Sequence, residues 1–171
     1  YRAGSERYGE IIYTSRWEVF GAYTFSPQAY IQYSFNDHDQ NSAYGDTVFL
    51  AQQRIGFIQA VIDQNIGSVP LTLGVAYRYT WYNDNTPATA SSDQTHLPGI
   101  FVQTTLDSGP NLQWLLGTRW DYNSRYGTII TPRLNIKLTR SSSEVFRFGF
   151  GSGYRVVNVF TEDHAALTGA R

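Results

Sequence analysis

The stretch Leu71–Tyr82, "LTLGVAYRYTWY", alternates without a break. Leu71, Leu73, Val75, Tyr77, Tyr79 and Trp81 take one side, and Thr72, Gly74, Ala76, Arg78, Thr80 and Tyr82 the other. A period of two is the signature of a β-strand with two chemically different faces. Leu112–Tyr122 repeats the scheme, with Leu112, Trp114, Leu116, Thr118, Trp120 and Tyr122 against Gln113, Leu115, Gly117, Arg119 and Asp121. So does Ile130–Leu138, with Ile130, Leu134, Ile136 and Leu138 against Thr131, Arg133, Asn135 and Lys137.

Five further segments follow the same rule. Trp17, Val19, Tyr23 and Phe25 oppose Arg16, Glu18 and Thr24, and Ala29, Ile31, Tyr33 and Phe35 oppose Tyr30, Gln32 and Ser34. Ile55, Phe57 and Val61 are expected on the apolar side, opposite Arg54 and Gly56, although Gln53, Ile58 and Gln59 interrupt that pattern. Ile100, Val102 and Leu106 oppose Gln103 and Thr105. In the last segment Phe146, Phe148 and Phe150 oppose Val145, Arg147 and Gly149. The glycines that follow, in "GFGSGYRVVNVF" (residues 149–160), mimic a phosphate-binding loop, but such a loop needs a helix after it, and three valines follow instead. The fold class is all-β, an antiparallel meander of about eight strands.

The connections differ on the two sides. "SPQ", "DQNIGS", "DSGPN" and "RSSS" are short, whereas "NDHDQNSAYGD", "NDNTPATASSDQTHLPG" and "NSRYGT" are longer and polar. Aromatic pairs precede the longer ones: Tyr33 and Phe35, Tyr79 and Trp81, Trp120 and Tyr122. Short turns on one side, long loops on the other and an aromatic belt are the habit of a transmembrane outer-membrane barrel, where only every second residue meets lipid. A soluble barrel or sandwich with its apolar face turned inward is the alternative, since alternation alone does not fix which face is inside.

Composition narrows the function. The chain has 171 residues, 13 basic and 14 acidic, with no basic stripe, so a nucleic-acid binder is not expected. It has no Cys, which removes thiol catalysis and Cys-based metal sites. It has no Met and begins in mid-pattern, and residues 1–171 are read as part of one transmembrane barrel domain within a longer protein.

The stretch from Gly117 to Asp163 resembles the later barrel of TonB-dependent outer-membrane receptors. The resemblance rests on Gly117, Arg119 and Asp121, then Thr131, Pro132 and Arg133, then Arg147, and finally Gly151, Gly153, Tyr154 and Arg155. Val157 departs from the family, which commonly has Pro there. The resemblance implies a large barrel in the bacterial outer membrane, of roughly 22 strands, with a plug domain and terminal strands that this chain lacks. It also implies active uptake of a ferric siderophore, haem, cobalamin or similar bulky nutrient. The implied partners are outer-membrane lipid, the metal-chelate or other small nutrient ligand, and the TonB complex acting through the plug. A small self-contained barrel, passive or structural, and a barrel enzyme are the alternatives.

Arg54, Arg78, Arg119, Asp121 and Arg133 are expected to face the lumen, where ordinary wet-wall chemistry also accounts for them. His38, Asp93, His96 and His164 are the candidate ligand contacts of the outer loops, with Asp37, Asp39, Glu162 and Asp163 nearby. Their spacing matches no metal site. No catalytic set stands out, and no cofactor or enzymatic activity is expected.

Overall fold

A computed structural model describes residues 10–44, 47–87, 89 and 91–154. They form eight strands: β1 (Glu10–Ser26), β2 (Ala29–Tyr44), β3 (Thr47–Ile66), β4 (Val69–Asp84), β5 (Asp93–Asp107), β6 (Leu112–Asn123), β7 (Gly127–Thr139) and β8 (Val145–Gly151). Each pairs antiparallel with the next, in the sheet order β1 to β8. The meander is the outcome the alternation demands: eight half-apolar strands joined by turns too short for any crossover.

On one side the turns are tight. Pro27–Gln28 joins β1 to β2 and Gly67–Ser68 joins β3 to β4. Gly67 adopts φ 63°, the left-handed region a two-residue hairpin turn uses. The turns step along the strand direction: Ala29 opens β2 opposite Ile62, yet β3 continues to Ile66 before it turns. Such stagger is the shear of a tilted barrel wall.

The sheet has two unlike faces, and among the described residues its buried apolar cluster is small: Phe49, Ala51 and Tyr82. Trp17, Tyr23, Phe35, Ile58, Val75, Ile100, Phe148 and Phe150 are all exposed on one face, Phe150 at 63%. Aromatic rings cover one another there: Trp17 and Phe35 lie 5.3 Å apart, and Tyr23 meets Phe25 edge-on at 5.0 Å. The opposite face is polar and lines a trough of about 800 Å³, touched by residues from β1 through β6 and by Tyr154. The buried side chains among the described residues, Gln53, Val61, Ala76, Tyr82, Leu97 and Asp121 among them, all lie on this face, and crowding on one face of a single sheet marks its concave side. The concave side is therefore the polar one, the reverse of a soluble barrel.

Two expectations are corrected. The third strand is turned over: Phe57 pairs with Arg78, and Ile58 with Tyr77. Ile55 and Phe57 line the polar trough, and Ile58, Ala60 and Ile62 carry the apolar face. β3 has apolar residues at both parities, so pairing with β4, not its own sequence, decides its faces. The second correction concerns the longer loops. "NDHDQNSAYGD" is mostly strand, since β2 runs to Tyr44 and β3 resumes at Thr47. "NSRYGT" reduces to the turn Ser124–Tyr126 between β6 and β7. Beyond the apolar band one side of these strands still packs, with Gln40, Ser42, Phe49 and Ala51 buried, so polar composition there does not signal loop.

Candidate functional site

The trough gathers Arg16, Glu18, His38, Arg78, Asp93 and Arg119 from the polar face. Arg16 lies 3.5 Å from Glu18 on its own strand. With its amide oxygen turned to Arg16, Asn36 accepts from Nε at 3.0 Å and from Nη2 at 3.2 Å. His38 stands opposite Arg16 in the register, one residue beyond the aromatic level of Trp17 and Phe35. Burial and the Arg16 charge hold its imidazole below the ordinary value, against the pull of Asp39. It is a trough residue of strand β2, not a loop residue.

The elements of the family-like stretch converge. Gly117, Arg133 and Gly151 occupy one rung of β6, β7 and β8. Arg119 grips Asp121 through a bidentate contact, with Nε 2.7 Å from Oδ2 and Nη2 2.7 Å from Oδ1. Asp121 is almost fully buried, and the Tyr154 hydroxyl also reaches it. Gly99 of β5 pairs with Asp121 of β6, and a Cβ at Gly99 would collide with that carboxylate. Thus Gly99, Arg119, Asp121 and Tyr154 form one unit from three separate stretches of sequence.

Arg78 and Arg133 also lie on the polar face. Arg78 sits between Phe57 and Leu97 in the register and has no ion-pair partner among the described residues. Arg133 lies between Gly117 and Gly151, likewise without an ion pair among the described residues. Arg54 does not belong with them. It pairs with Trp81, stacks on that ring at 5.0 Å, and lies 3.6 Å from Asp37, all on the apolar face. The inverted reading of β3 is the reason for the misplacement.

The expected outer-loop contacts separate too. Asp93 opens β5, where the Arg125 guanidinium binds it at 2.6 Å. His96 lies inside β5 on the apolar face, with Nδ1 2.6 Å from the Tyr77 hydroxyl. His164, with Glu162 and Asp163, lies outside the described residues. Among the described residues no three ligating side chains gather around a common point.

A cap at the top of β4 was not anticipated. Asp84 accepts from the Tyr82 hydroxyl at 2.6 Å, the Thr86 amide at 2.8 Å and the Thr86 and Thr89 hydroxyls at 2.6 and 2.9 Å. Burial raises its pKa, but these donors outweigh it and leave the carboxyl below its ordinary range. The one sequence signal was the Asp-x-Thr spacing just after a strand, which suits an Asx-type turn.

A scan against protein-family models finds no match, and a search of curated proteins finds none either. Solved structures do match. The chain is similar to the siderophore receptor PirA from Acinetobacter baumannii, with 13% identity over 86% of this chain and 26% of that one, at a TM-score of 0.67. It is similar to the ferric enterobactin receptor PfeA of Pseudomonas aeruginosa in complex with enterobactin, with 12% identity over 88% of this chain and 27% of that one, also at 0.67. The alcaligin outer-membrane receptor FauA from Bordetella pertussis matches with 12% identity over 78% of this chain and 27% of that one, at 0.55. The chain has the fold of an outer-membrane siderophore-receptor barrel wall. It spans only about a quarter of the PirA, PfeA and FauA chains just named.

Proposed function

We propose that this chain is part of the barrel of a TonB-dependent receptor in the bacterial outer membrane. The receptor takes up a bulky nutrient by active transport, with a ferric siderophore as the first choice and haem or cobalamin as the others. The observation that carries the reading is the inside-out sheet: a concave polar trough holding Arg16, Arg78 and Arg119, backed by an exposed aromatic face. A wet lumen with fixed cations suits an anionic chelate, and the apolar face suits lipid.

In this reading, residues 1–171 are a partial barrel domain, and a plug domain elsewhere in the protein occupies the lumen and couples to TonB. Arg78, Arg119 and Arg133 line the ligand's route. The beyond-membrane ends of β2 to β5, which carry His38 and Asp93, stand at its entrance. Transport needs no bond-making by the chain.

The test is uptake by cells. A strain lacking the gene, and the same strain carrying the full-length gene, are starved of iron and given radiolabelled ferric siderophores, haem and cobalamin. Accumulation should require both the gene and TonB, and should collapse with a protonophore. Gene-dependent entry of small solutes that survives loss of TonB would make the protein a passive pore. Unchanged accumulation of all three nutrient classes without the gene would end the receptor reading.

A further inference from the structure

The apolar face carries a feature that a plain lipid-facing wall does not require. Two adjoining grooves, about 550 and 720 Å³, share Ile31, Ala60, Val75, Ile100 and Trp120. Ala60 is the small residue among them and forms their floor. Above the grooves the face runs through Ile58 and Gly56 to Arg54 on the same strand. A Cβ at Gly56 would meet nothing within 4 Å, so a notch lies open between the grooves and Arg54.

Arg54 closes the top of this track. Its guanidinium lies over Trp81 at 5.0 Å, and its side chain keeps 49% exposure. Asp37 meets the Nε edge at 3.6 Å and is itself mostly covered. At its own exposure the Arg54 guanidinium keeps donors open to another anion. His96, on the same face and two strands away, contacts the Tyr77 hydroxyl through Nδ1 at 2.6 Å. When that hydroxyl donates, Nε2 carries the proton and becomes a second donor.

We propose that this track is a binding site for a phosphate-bearing lipid. One acyl chain lies along the Ala60 floor, the Gly56 notch admits the glycerol or sugar backbone, and Arg54 holds the phosphate. The occupant follows from charge and shape together. An exposed guanidinium fork at the level of the aromatic belt recognises a phosphate, and an apolar groove directly below it recognises a chain attached to that phosphate. A free anion has no use for the groove, and an uncharged lipid has none for Arg54.

The proposal rests on the lipid-facing reading of the apolar surface, and one experiment separates the two. Full-length protein is reconstituted in phosphatidylcholine bilayers containing a minor fraction of phosphatidylglycerol, washed in mild detergent, and its retained lipids are counted by native mass spectrometry. Wild-type protein should retain phosphatidylglycerol in preference to phosphatidylcholine. Arg54→Gln should cut that retention about tenfold, the scale of one charge-assisted contact. Arg54→Lys should keep most of it, while Gly56→Leu should lose it with the charge intact, because the notch is filled. A side chain at Gly56 has open space to enter, and Lys137→Gln on the opposite face serves as the control. Failure of wild-type protein to insert at all would defeat the lipid-facing reading. Insertion with equal retention of both lipids, or retention indifferent to Arg54, would overturn the site. Displacement of the lipid by inorganic phosphate would reduce it to an anion site.

Discussion

Arg119 and Asp121, two residues apart on β6, are locked fork to fork, with Arg119 Nε 2.9 and 2.7 Å from the two carboxylate oxygens. The Asp121 side chain is fully covered while Arg119 keeps 30% exposure. Removing the acid therefore leaves a cation that water still partly solvates. Asp121→Ala should destabilise the barrel by about 2 kcal/mol, less than loss of a partner from a fully buried pair. Gly99→Ala should cost a similar amount, because its new methyl group displaces the same carboxylate. Denaturant unfolding of the full-length protein in micelles measures both. A loss near zero for Gly99→Ala would mean that the fork has another place to sit.

The Asp84 cap sets a pH dependence. Its folded pKa is lowered from 3.8, so the unfolded chain binds the proton more tightly. The contribution to stability is fully present above the unfolded pKa and is lost as pH falls through the lower, folded one. Asp84 ends β4 beyond Trp81, outside the apolar band. Protection of the Thr86 amide in hydrogen exchange should therefore weaken on acidification below about pH 4 while the amides of mid-β4 stay protected. Asp84→Ala should leave Thr86 unprotected at every pH.

Asn85 extends the ladder with its side chain. Its Oδ1 accepts from the Leu50 amide at 2.9 Å, its Nδ2 donates to the Val48 carbonyl at 2.7 Å, and its own amide donates to the Leu50 carbonyl at 3.1 Å. The side-chain amide stands in for a missing strand residue opposite the start of β3. Asn85→Ala should lower the local opening free energy at Leu50 by about 1 kcal/mol, read as faster exchange of that amide. Global unfolding should scarcely change. A uniform drop across the sheet would show that the hairpin top and the membrane wall open together.

What could be read from the sequence depended on how much each strand differs between its faces. In β4 apolar and polar residues never exchange sides, and its faces and neighbours follow directly. In β3, Ile55 and Phe57 compete with Ile58, Ala60 and Ile62, and only the pairing Arg54–Trp81 resolves them. That single inversion moved Arg54 from the lumen to the lipid side. The sequence reads His38, Asp93 and His96 as loop residues, because the polar ends of strands carry no amphipathic signal. The meeting of Asp121 with Tyr154 depends on the register of three strands, which no local pattern encodes.

All four tryptophans, Trp17, Trp81, Trp114 and Trp120, share parity with the apolar face. Trp114 pairs with Leu106 and Ile136, close to the Ser108–Asn111 turn. Trp17 and Trp81 lie toward the other end, opposite Asp37 and Arg54. Trp120 is flanked by Ile100 and Ile130. Indole rings favour the headgroup level, where the N–H finds water. In bilayers of brominated lipid, single-tryptophan forms of the full-length protein should all be quenched. Bromine near the headgroup should quench all four better than bromine deep in the chain. Insensitivity of all four to brominated lipid would require the aromatic face to be covered by protein, and would return the sheet to the soluble architecture that its curvature argues against.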